Sequence, residues 1–92
     1  MLIQVGILEV GFGEKGHAHF CPVALGINKV LPKGWIARVL IYKVGICRIH
    51  SPVSPDFEIR LPDVVSVWIR EYDAHCGMRP FSFDLEGLCI AT

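Results

Sequence analysis

Two prolines, Pro22 and Pro62, each open an apolar stretch with helical spacing, and each stretch is flanked by β-patterned sequence. Proline is tolerated in the first turn of a helix because the N–H it lacks would have no intrahelical partner there. Helix starts at Cys21-Pro22 and Leu61-Pro62 therefore fix the order in which elements can follow one another. After Pro22, the residues Val23, Ala24, Ile27, Val30 and Leu31 fall on one helical face, Asn28 borders it, and Lys29 points away. Pro32-Lys33-Gly34 is a stop signal. After Pro62, the spacing predicts a buried face of Val64, Val65, Trp68, Ile69 and Tyr72, with Ser66, Arg70, Glu71 and Asp73 in solvent and Asp63 at the positive end of the helix.

The remaining segments read as strands and turns. Residues 2–10 are expected to form a strand, and Gly11 to His19 an exposed glycine-rich loop. Trp35 to His50 is rich in β-branched residues, but extended throughout it would span about 50 Å, too long for so small a domain, so a bend is expected near Gly45. Ser51 to Asp56 is a loop, Phe57-Glu58-Ile59-Arg60-Leu61 alternates as a half-buried strand, Ala74 to Pro80 is a turn, and residues 80–85 alternate as a last strand. The order is βαββαβ. It predicts one α+β domain over residues 1–92, a ferredoxin-like split βαβ arrangement in which an antiparallel sheet is backed on one face by two helices.

Composition adds a surface argument. Of the 92 residues, 52% are hydrophobic and 20% charged, and a chain this short has too little interior to hide so much apolar surface. Some of it is expected to face a partner or a second copy of the chain. No apolar run approaches the ~18–20 residues of a membrane span, and the N-terminus lacks the basic region of a secretory signal, which makes a cytoplasmic protein the expectation. Net charge is zero but unevenly laid out: Lys29, Lys33, Arg38, Lys43 and Arg48 lie in 29–48 without an acid, whereas 49–92 holds three arginines against seven acids. Nucleic-acid binders show a net basic footprint, so zero net charge argues against that class and leaves only the 29–48 segment to support it.

Three motifs invite chemistry. Glu9-Val10-Gly11-Phe12-Gly13-Glu14-Lys15-Gly16 contains Gly-x-Gly-x-x-Gly (Gly11, Gly13, Gly16) and resembles the first motif of Rossmann-type nucleotide binders, including S-adenosylmethionine-dependent methyltransferases. Against a nucleotide site stand the late helix start at Pro22, the lack of an acid about 20 residues on, and a chain too short for a doubly wound sheet. His17, His19 and Cys21 could present three metal ligands from one loop, with His75-Cys76 or Cys47 and His50 completing a tetrahedron, but none of these spacings is a paired Cys-x-x-Cys zinc module. Cys21 at a helix start, with His17 or His19 as base, has the outline of a nucleophile without an orienting third group. The expectation is a structural Cys21, no cofactor and no catalysis.

The pattern Cys-Pro-Val-Ala-Leu-Gly-Ile (21–27), Leu-Pro-Asp-Val-Val-Ser-Val-Trp-Ile (61–69), Tyr72-Asp73 and Pro-Phe-Ser-Phe-Asp-Leu (80–85) resembles small uncharacterised proteins encoded by phages, prophages and plasmids. In those, a Cys-Pro helix start, a Leu-Pro helix and a closing Pro-Phe-x-Phe-x-Leu strand recur in this order. The resemblance implies a small accessory protein that works by occupying the surface of a host protein or protein complex, with a counter-defence inhibitor of the anti-CRISPR kind as the leading expectation. Val67 lies opposite the buried stripe of its helix, which makes Val67 and Arg70 candidates for a contact surface, together with Arg38 and Lys43 on the unpaired edge expected for the 35–50 strand.

Overall fold

The computed structural model describes residues 1–75 and 79–88. They form β1 (Leu2–Val5), α1 (Ile7–Phe12), α2 (Pro22–Asn28), β2 (Trp35–Val39), β3 (Lys43–Arg48), β4 (Phe57–Arg60), α3 (Asp63–His75) and β5 (Phe81–Asp84). The class is α+β. In place of one ferredoxin-like sheet, however, the strands divide into an antiparallel meander, β2-β3-β4, and an antiparallel pair, β1-β5.

A short helix stands where the second half of a long first strand was expected. Ile7-Leu8 breaks the alternation of Leu2 to Val5, and the Glu9 carboxylate turns back to accept the Gly6 N–H at 2.8 Å. That bond satisfies one of the amides a helix start leaves open, so the chain curls into α1 directly after Val5. The 35–50 region is a hairpin. Its bend falls at Leu40–Tyr42 and not at Gly45, with Val39 opposite Val44 and the Leu40 N–H bonded to the Lys43 carbonyl. Gly45 lies inside β3, where a Cβ would come 2.8 Å from Pro55 Cβ; the missing side chain lets the 51–56 loop fold across that face.

α2 joins the two sheets. Its first turn is capped by the Cys21 sulfur, which accepts the Ala24 N–H at 3.5 Å, and its buried face carries Val23, Ala24 and Ile27. A Cβ on Gly26 would lie 2.9 Å from the Gln4 carbonyl oxygen, so glycine permits backbone contact with β1. On the other side, Asn28 Oδ1 accepts the Ala37 N–H of β2 at 2.8 Å. The helix ends at Asn28, short of the Pro-Lys-Gly signal, which leaves Leu31 half-buried and Val30 exposed.

α3 buries Val65, Trp68, Ile69 and Tyr72 as its spacing predicts, but Val64 is 68% exposed and Ser66 is buried. The hairpin tip explains the rotation: Ser66 Oγ donates to the Ile41 carbonyl at 2.6 Å, which makes a small hydroxyl acceptable in the packed interface and turns Val64 outward. Trp68 stacks on Tyr72 and on Phe81 of β5, and the Tyr72 hydroxyl donates to the Gly13 carbonyl at 3.1 Å. No helix among the described residues is long and apolar enough to cross a membrane.

Candidate functional site

The glycine-rich run does not form a phosphate cradle. Gly11 lies within α1, Gly13 caps it by donating its N–H to the Glu9 carbonyl at 2.8 Å, and Gly16 occupies a turn at φ +70°. A Cβ at Gly13 would sit 2.6 Å from the Pro22 ring, so this glycine lets the end of α1 meet the start of α2. A nucleotide loop would need these residues to follow a strand and lead into a helix with free amides. Here the strand ends six residues before Gly11, at Val5, and the Gly16 N–H is taken by Asp73 Oδ1 at 3.1 Å.

His17, His19 and Cys21 diverge. His17 Nδ1 accepts the His19 N–H and its ring packs 4.8 Å from that of Phe20, whereas His19 Nε2 lies 2.8 Å from the Pro52 carbonyl oxygen. Cys21 points into the first turn of α2. Among the described residues no three His, Cys, Asp or Glu side chains gather as metal ligands. The side chain of His75, and all of Cys76 and Cys89, lie outside the described residues, as does the middle of the expected 74–80 turn.

Cys21, His17 and Asp73 do line one cleft of about 250 Å³, together with Val39 and Ile69. Its electrostatics oppose a nucleophile. Burial pushes the Cys21 thiol above the ordinary range, and the nearby Asp73 carboxylate adds to the shift, outweighing the Ala24 N–H that favours a thiolate. Cys47, buried within β3, is also raised by burial. Both thiols should therefore alkylate slowly in the native protein at mildly alkaline pH, and at the rate of free cysteine in denaturant, as read by mass spectrometry of the labelled peptides. Because the folded values are raised, these thiols hold their protons after the unfolded chain has ionised. Their contribution to stability is complete below the ordinary thiol range and declines as pH rises through and beyond it.

The basic segment is largely neutralised. Lys29 pairs with Glu9 at 2.6 Å and Lys43 with Glu58 at 2.9 Å, while Arg48 lies 3.6 Å from Asp56 and stacks over the Trp35 ring. Only Lys33 and Arg38 form no ion pair among the described residues, too little for a phosphate-tracking stripe.

What the fold presents outward is apolar. α1 has no buried residue, and Ile7, Leu8 and Phe12 are 79%, 66% and 78% exposed. Its inner side carries Glu9, paired with Lys29, beside the half-buried Val10, while its three largest apolar side chains face solvent. A second apolar group surrounds the hairpin tip, where Ile41, Tyr42, Val64 and Val67 are exposed and the Arg70 guanidinium donates to the Tyr42 hydroxyl at 3.0 Å. Val67 and Arg70 thus share a helix face beside Tyr42. Arg38 and Lys43 belong elsewhere: they alternate with the buried Val39 and Val44 and project from the opposite face of the meander, near Glu58. Sequence reasoning missed α1. The available signals were adjacent Ile7 and Leu8, which no half-buried strand needs, and a glutamate three residues after Gly6.

No family model matches the chain, and comparison with curated proteins and with solved structures finds no significant match.

Proposed function

We propose that this chain acts by stoichiometric protein binding and not by catalysis, as a small accessory protein of a mobile element whose target is a host complex. The observation that carries this reading is α1, a helix whose three large apolar side chains face solvent while its carboxylate faces the protein. Holding a helix in that orientation leaves apolar area in water with no folding benefit, and docking into an apolar groove recovers it. Tyr42, with Arg70 held against its hydroxyl, adds the residue types that dominate binding energy at protein interfaces. Inhibition of a defence complex, of the anti-CRISPR kind, follows from the resemblance to phage and plasmid proteins and is the first activity to assay.

Phe12→Glu is expected to abolish capture of a host protein by the immobilised chain, with Tm unchanged because Phe12 contributes nothing to the core. Val67→Glu is expected to weaken capture less. The decisive readout is a partner retained at one copy per chain by the wild type and released by Phe12→Glu. If the same partner survives both substitutions, or if none is retained from any host tested, binding through these faces is wrong.

A further inference from the structure

The two outer edges of the meander are treated differently. On β2 the outward N–H groups are all taken: Trp35 donates to the Pro32 carbonyl, Ala37 to Asn28 Oδ1 and Val39 to the Ala18 carbonyl. The edge expected to be open in the 35–50 region is therefore closed. β4 is the last strand at the other side, and no strand among the described residues pairs with its outer edge. Leu61 donates its N–H inward to Tyr42, so by alternation the backbone groups of Glu58 and Arg60 point outward.

We infer that β4 pairs antiparallel with β4 of a second copy of this chain, about a two-fold axis through Ile59. The outward groups allow that register, because Glu58 and Arg60 then form hydrogen-bonded pairs with each other's counterparts and Ile59 meets its own counterpart across a close, non-hydrogen-bonded pair; a two-fold axis at Glu58 or at Arg60 would pair the backbone equally but set like charges opposite each other. The side chains agree with it. Phe57-Glu58-Ile59-Arg60 is self-complementary when reversed, placing Glu58 opposite the partner's Arg60 and Arg60 opposite the partner's Glu58.

The pairing also resolves a conflict within one chain. Arg60 stands directly across from Lys43 in the register, a like-charge placement that costs stability in a sheet. Its only ion pair among the described residues is a 3.9 Å approach to an exposed Asp63. The partner's Glu58 would supply the missing acid on Arg60's open side. Charges on a short edge strand commonly block association. This edge attracts itself in one register. The interface uses none of the residues assigned above to the foreign partner, so either inference can fail without the other.

The test is mass by light scattering across a concentration series, with circular dichroism as the check on folding. Wild-type protein should approach twice the chain mass of 10.2 kDa at high concentration and fall back in high salt. Glu58→Arg and Arg60→Glu should each remain at the chain mass, since each variant faces its copy with like charges. An equal mixture of the two should recover the doubled mass as a heterodimer, and the double swap Glu58→Arg/Arg60→Glu should recover it alone. Arg60→Glu is the safer single variant, because it gives Lys43 an acidic neighbour and so spares the fold. A wild type that stays at the chain mass throughout, a folded Arg60→Glu that keeps the doubled mass, or a double swap that stays monomeric would each overturn the inference.

Discussion

Trp68→Ala is expected to cost about 3–5 kcal/mol, the range for truncating a large aromatic in a core. A domain of this size holds only about 5–15 kcal/mol in total, so the variant should sit close to unfolding at room temperature. The cost has three sources. The indole is buried to 8% exposure and stacks between Tyr72 and Phe81, so its loss opens a cavity where α3 meets the β1-β5 pair. Its Nε1 donates to the Arg79 carbonyl at 3.2 Å, a bond that also fixes the approach to β5. Tyr72 loses its stacking partner, which loosens the hydroxyl that ties α3 to the end of α1. Urea unfolding followed by circular dichroism measures the change. Val67→Ala, on the exposed face of the same helix, is the control and should stay within about 0.5 kcal/mol of wild type.

Ile27→Ala should cost about 2–5 kcal/mol. Ile27 is fully buried on α2, the helix held to β1 by the close approach at Gly26 and to β2 through Asn28. Nothing in a seven-residue helix sustains it in isolation, so its stability is tertiary and depends on that packing. The substitution should therefore loosen both sheets together, and amide exchange should speed up in β1 as well as in β2. Faster exchange confined to α2 would show that the two sheets hold independently of the helix.

Much of this architecture is legible in the residues, and the parts that are not share a cause. Proline at helix position one, the alternation of residues 57–60 and 81–84, and the stripe of Val65, Trp68, Ile69 and Tyr72 are local signals, and the elements they imply are present. Strand pairing is not local. The sequence of β1 says that it is a strand but not that β5 is its partner, which is why the expected single sheet became two. Ser66 and Val64 exchanged places because a carbonyl at the hairpin tip, 25 residues away, needed a donor. At the candidate site, Val67 and Arg70 were recognisable from helical phase, whereas α1 was hidden inside an apolar run short enough to fit either a strand or a helix. Gly11, Gly13 and Gly16 were legible only as a glycine-rich run: glycine marks a backbone need, and only the fold reveals that the need at Gly13 is contact with a proline ring.

The β1-β5 pair closes the chain on itself, with Leu2 opposite Asp84 and Val5 opposite Phe81. Loop-closure entropy grows with the length of chain enclosed, so this pair is the most expensive contact in the fold to nucleate, and the hairpins of the meander are the cheapest. Folding should accordingly run from the middle outward. On the ribosome, β1 emerges first and waits longest: Ile3 and Val5 have no strand to pair with until residues 81–84 have been synthesised. For that interval the newborn chain carries an open β-edge, and the speed of translation between β1 and β5 sets how long the exposure lasts.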